Sequence, residues 1–208
     1  MSFLLRAMAS LLVLVSLQSF AQGDATQGEA KAAICAACHG ADGNSAVPNW
    51  PKLAGQHEQY LVRQATLIKD NHRPVPEMMG ITPGLSEQDI LDISAFYAQQ
   101  TPNGGVADES KVVLGERLFR AGNAETGVPA CMSCHGPAGE GNPLSGYPAL
   151  AGQHSVYSGK MLTRFRSGEN WGEDDSASGV MNGAAARLTD EEIDALASYI
   201  QGMYLASE

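Results

Sequence analysis

Two pentapeptides in this 208-residue chain share one pattern, Cys35-Ala-Ala-Cys38-His39 and Cys131-Met-Ser-Cys134-His135. Cys-x-x-Cys-His is the attachment pattern for c-type haem. Two thiols three positions apart reach the two vinyl groups on one edge of a porphyrin. The adjacent imidazole then turns onto the iron from one face. Paired cysteines serve other chemistries as well, namely a redox dithiol or a zinc site, including one zinc shared by both pairs. Here both pairs carry the following His, and together they use all four cysteines of the chain. Neither a dithiol nor a structural disulfide needs that His. The expected cofactors are therefore two covalently bound haem c groups. Cys35, Cys38, Cys131 and Cys134 tether them, and His39 and His135 are the first iron ligands.

Each iron then needs a sixth ligand or an open face. A thioether favours reduced iron and raises its potential, so Met suits an electron carrier. The chain has eight methionines. Met1 and Met8 belong to an N-terminal leader, and Met132 lies inside a haem motif. Met161 and Met203 fall in expected helices without counterparts, where packing is their role. Met78, Met79 and Met181 remain, with His57 and His154 as rivals that would lower the potential.

A repeat discriminates among them. Pro51-Lys-Leu53-Ala54-Gly55-Gln56-His57 recurs as Pro148-Ala-Leu150-Ala151-Gly152-Gln153-His154. Met78-Met79-Gly80 recurs as Met181-Asn182-Gly183, and Leu85-Ser86 as Leu188-Thr189. So long a period marks a duplicated domain rather than a solenoid. Met78 and Met181 stand equally far before Leu85 and Leu188, and Met79 is out of register by one. The register favours Met78 and Met181 as axial ligands, with His57 and His154 as the competing pair.

Helices must position these groups. Residues 26–37 and 109–121 read as opening helices, and 56–70 and 153–167 as middle helices. Ser86-Glu-Gln-Asp89 and Thr189-Asp-Glu-Glu192 read as capping boxes that start a terminal helix in each half. Ile90, Ile93 and Tyr97 then share one face, as do Ile193, Leu196 and Ile200. Gly- and Pro-rich loops with little strand signal lie between. The expected fold is all-α, with two tandem cytochrome c-like haem domains at 22–100 and 109–208, joined by a short linker at 101–108. The Pro-x-Leu-Ala-Gly elements are expected to close the haem pockets through Leu53 and Leu150. Tyr60 and Tyr157, and the bases Arg63, Lys69, Lys160 and Arg164, are placed to meet propionates. Residues 169–175, with Trp171 among acidic neighbours, read as an exposed loop.

Residues 1–21 read as a cleaved signal peptide. Arg6 precedes an apolar stretch around Leu11–Val15, and Ser19-Phe20-Ala21 offers small residues to the peptidase. The stretch is short for a membrane span. The chain carries a net charge of −10, which argues against nucleic acid as a partner and fits a basic docking face.

The double Cys-x-x-Cys-His, the repeated Pro-x-Leu-Ala-Gly-Gln and the Met-x-Gly before a capped terminal helix resemble the di-haem cytochrome c4 family. The resemblance covers about residues 24–204. It implies two class I cytochrome c domains about a pseudo-twofold axis, with haems facing each other through their propionates. It also implies His39 with Met78 on one iron and His135 with Met181 on the other. The role it implies is a periplasmic electron carrier, soluble or peripherally membrane-associated. Its donor would be a quinol-oxidising complex and its acceptor a terminal oxidase. Two closed irons leave no catalytic residue to name, so the expectation is a monomeric carrier and not an enzyme. The alternatives are a cytochrome subunit of a periplasmic dehydrogenase and a di-haem peroxidase, which needs an open iron with acid–base groups over it. A pyridine haemochrome assay with mass spectrometry should find two covalent haems on a chain starting at Gln22. One haem or none contradicts the reading.

Overall fold

The computed structural model describes residues 22–172 and 176–204. The expected leader, and residues 173–175 of the acidic segment, lie outside them. In the first half the Asp24 carboxylate accepts the amides of Thr26 and Gln27 and starts α1 (Ala25–Lys31). α2 (Ala33–His39) follows at once and ends on the haem-motif histidine. The sequence suggested one opening helix here, but the chain kinks at Ala32. That residue is buried in a cluster with Leu61, Ile93 and Tyr97. α3 (Glu58–Lys69) and α4 (Glu87–Ala98) complete the half.

The second half contains α5 (Glu109–Ala121), α6 (Met132–His135), α7 (Ser155–Arg166), α8 (Ser176–Ala185) and α9 (Asp190–Gly202). Here the haem motif does not continue the opening helix. A turn closed by the isolated bridge Asn123–Val128 separates α5 from the single turn of α6. The two halves also differ before the terminal helix. Met78 ends a 3₁₀ turn at Pro76–Met78, whereas Met181 lies inside α8. Ser, Gly and Asn make α8 a poor helix by propensity, and packing against α7 accompanies it. Both capping boxes form, with Ser86 and Asp89, and Thr189 and Glu192, exchanging side-chain and backbone bonds. Among the described residues β structure is limited to two isolated bridges.

The terminal helix of each half crosses the opening helix closely. A Cβ on Gly28 would lie 2.0 Å from the Asp92 carbonyl oxygen, and one on Gly115 would lie 2.4 Å from that of Ala195. Only glycine lets α1 meet α4, and α5 meet α9, backbone to backbone. The polar ties at these crossings differ. Buried Asp92 accepts from the Asp24 amide and the Lys31 ammonium, while in the second half Ser198 Oγ receives the Asp108 amide. The buried cores differ as well. The second half packs Leu118, Phe119, Val128, Leu188, Ile193, Leu196 and Ile200 together. Among the described residues the first half has a smaller cluster, Ala32 with Leu61, Ile93 and Tyr97.

The segment between the halves is pinned at several points. Asn44 bonds Thr101 and Asn103, Gly105 and Val106 bond Gln201, and Lys52 Nζ donates to the Asn103 carbonyl. Gly28→Ala or Gly115→Ala should cost about 1–3 kcal/mol through overpacking, read as a lower thermal midpoint of the holoprotein. Gly179→Ala, whose Cβ would meet open space, should not lower it.

Candidate haem sites

His39 and His135 are both buried, at 7% and 5% exposure. Each is the last residue of its helix, and each ring meets a carbonyl of the repeated loop. His39 Nδ1 lies 2.8 Å from the Pro51 oxygen, and His135 Nδ1 lies 2.9 Å from that of Pro148. A carbonyl only accepts, so Nδ1 carries the proton and Nε2 keeps its lone pair for a metal. Burial lowers both imidazole pKa values from the ordinary range. Both rings are thus held neutral, as ligation demands.

The two rings open onto one continuous cavity built by both halves. Cys35, Cys38, His39 and Met78 line it from the first half, and Cys131, His135 and Met181 from the second. Cys134 sits one turn from Cys131 and is half-buried. Leu53, Leu61, Ile68, Leu85, Ile90 and Ile93 face the cavity on one side, and Leu150, Leu162, Phe165, Leu196 and Ile200 on the other. These side chains would ordinarily complete a core. Their arrangement around open space suits a large, flat, apolar group in each half. Burial pushes the Cys35 and Cys131 thiols up to about 11. A redox dithiol needs the opposite shift, toward thiolate. A shared zinc would need converging ligands, and no three His, Cys, Asp or Glu converge among the described residues. The residues present therefore fit covalent haem and do not fit the rival chemistries.

The three candidate methionines separate clearly. Met78 and Met181 are half-buried at the cavity wall, while Met79 is 50% exposed and away from it. His57 and His154 do not line the cavity. His154 Nε2 instead bonds the Ser45 carbonyl at 2.8 Å, and His57 Nε2 is buried without a partner. Leu53, Leu150, Tyr60, Tyr157, Arg63, Lys160 and Arg164 line the cavity. Lys69 does not, because its ammonium caps the Leu85 carbonyl at 2.7 Å.

Two features correct the sequence reading. Trp171 is not on an exposed loop. It is 3% exposed, with its ring against Phe165 and beneath the guanidinium of Arg73 at 4.6 Å. Its acidic neighbour Glu169 is gripped by Arg164 and accepts the indole N–H. Arg73 itself passed unnoticed in the sequence. It reaches from the first half to Tyr157 and Met161 of the second, while also donating to Gln64. The repeat gave no signal for it, since Trp171 stands in the matching region of the other half.

The comparisons agree with this geometry. The family model described as Cytochrome c matches twice, over residues 25–100 and 112–203. A cytochrome c4 of Pseudomonas aeruginosa is 48% identical over 201 residues, covering 96% of this chain and 99% of that protein. The solved structure of reduced recombinant cytochrome c4 from Pseudomonas stutzeri superposes with a TM-score of 0.83 at 46% identity. It covers 88% of this chain and 100% of that one. A protein of Thiomonas intermedia named thiosulfate dehydrogenase electron acceptor is 33% identical, covering 85% of this chain and 81% of that protein. With two matching domains, two haem motifs on one shared cavity and full-length similarity, this chain belongs to the cytochrome c4 family of di-haem c-type electron carriers.

Proposed function

We propose that this chain carries single electrons between larger redox proteins of the periplasm, with His39 and Met78 on one iron and His135 and Met181 on the other. The observation that carries the ligand assignment is the cavity wall. It contains both motif histidines and both in-register methionines, and it excludes Met79, His57 and His154. When bound, each haem supplies a one-electron Fe(II)/Fe(III) couple. The protein's own residues bind and orient the group and keep water from it. His39 and His135 each offer a neutral Nε2, fixed by a carbonyl bond. Met78 and Met181 offer thioether sulfur, which favours the reduced state. Leucine and isoleucine side chains exclude water from the walls.

Haems held by His39 with Met78 and by His135 with Met181 would have no iron position left for a substrate, so the chemistry would end at electron transfer. A peroxidase would need one face open. The carrier reading places a quinol-oxidising complex upstream and a terminal oxidase downstream, with export directed by residues 1–21. The chain works as a monomer, free or peripherally attached to the membrane. Similarity to proteins named cytochrome c4 supports the carrier role itself. A second reading is service as the electron acceptor of a thiosulfate-oxidising enzyme, favoured by the similarity to proteins so named.

The ligand assignment is checked by the sulfur-to-iron charge-transfer band. Met78→Ala and Met181→Ala should each remove about half of it, and Met79→Ala none. Loss of the band in Met79→Ala instead would place the register wrong by one. The direction is checked by stopped-flow oxidation of the reduced protein with terminal oxidase membranes. Rapid turnover there is expected; turnover with a thiosulfate-reduced dehydrogenase alone would favour the second reading.

A further inference from the structure

The repeated loop ends in a glutamine, and each glutamine works across the domain boundary. Gln153 of the second half grips Lys52 of the first. Its Oε1 accepts the Lys52 N–H at 2.9 Å, and its Nε2 donates to the Lys52 carbonyl at 3.0 Å. Gln56 of the first half grips Ala149 of the second in the same way, with both distances 2.9 Å. Each Oε1 also accepts the N–H of its own following histidine at 3.0 Å. Lys52 and Ala149 are equivalent positions of the repeat, so the exchange is reciprocal.

The gripped residues directly follow Pro51 and Pro148, whose carbonyls hold the motif histidines. The carbonyl of Pro51 and the N–H of Lys52 belong to one planar peptide unit. One edge of that plane accepts from His39 Nδ1, and the opposite edge donates to Gln153. The plane cannot tilt toward or away from the imidazole without straining the glutamine bond. An engaged N–H also polarises its own carbonyl, which makes it a better acceptor for the ring. The Pro148–Ala149 peptide relates His135 to Gln56 identically.

We infer that Gln153 and Gln56 are crossed positioning residues, each tuning the iron of the opposite half through the peptide that orients its histidine. This rests on His39 and His135 being the iron ligands. The bond from Nδ1 to a carbonyl raises the basicity of the imidazole, and a more basic ligand favours oxidised iron. Releasing the peptide weakens that bond and raises the potential of the haem it serves. A clasp that merely joined the domains would not move one potential apart from the other when it is cut.

The test uses the full-length holoprotein carrying Gln153→Met or Gln56→Met. A redox titration is followed by NMR through the axial methionine methyl signals, assigned to Met78 and Met181. Gln153→Met should shift the reduction equilibrium of the His39 haem about threefold toward reduction, near 28 mV at 59 mV per tenfold. The His135 haem should move by less than a third of that. Gln56→Met should give the mirror result. No shift, a downward shift, an equal shift of both haems, or a shift of the variant's own half overturns the inference. If a Met variant does not accumulate as holoprotein, Gln→Asn, whose amide is one methylene short, is read by the same criteria. The parent separates the two readings. Missing methionine methyl signals there would overturn the ligand assignment, whereas intact signals with unmoved potentials would overturn the crossed role alone.

Discussion

A histidine that is to hold an iron inside a protein has to be neutral and aimed; burial keeps both motif rings neutral here, and one hydrogen bond to a proline carbonyl aims each. The bond fixes the tautomer and stops ring rotation. Everything else in each half holds that carbonyl still. Leu53 and Leu150 anchor the loop through their amides to Gly43 and Gly139. Gly55 and Gly152 donate to Tyr97 and Ile200 near the ends of α4 and α9. Those terminal helices are set in turn by the glycine crossings with α1 and α5. The line of support runs from a close helix contact, through a loop, to a single oxygen atom.

The interior follows a related logic. Domains of this size hold few fully buried side chains, and the first half has a particularly small cluster. The leucines and isoleucines that would normally pack on one another instead face the cavity. Each is worth about 1.5–3 kcal/mol only when its surface is covered. A covalently tethered porphyrin is the covering layer, so attachment and the completion of the core are one event. Hydrophobic residues that look under-employed in the polypeptide alone become ordinary once that layer is counted.

Much of this was legible because the chain repeats itself. The two haem motifs and the two capping boxes can each be read alone, whereas the register that separates Met78 from Met79 came from comparing one half with the other. Helix ends with side-chain caps are local chemistry, and local chemistry reads well from sequence. The misreadings fall where the halves differ. α8 has no counterpart in the first half and is built from poor helix formers, so only tertiary packing announces it. Trp171 looked solvated because acidic residues surround it, yet Arg73 and Arg164 arrive from elsewhere to cover the ring and bind Glu169. Arg73 has one partner, Gln64, in its own half, and its other contacts lie in the second half. The glycines at the helix crossings carried no visible signal either, because a close approach depends on a second helix far away in sequence.

The pinned segment at residues 101–108 has a consequence for how such a molecule can change over generations. Junctions between duplicated domains are usually where chains absorb insertions and deletions. This junction is tied at several points along its length. Asn44, Lys52, Ser198 and Gln201 hold it from both sides through backbone groups. A residue gained or lost there would break register with one half or the other. Added length should be tolerated better inside the halves, in places such as the turn before α6. Such domains should lengthen far more readily than they move apart.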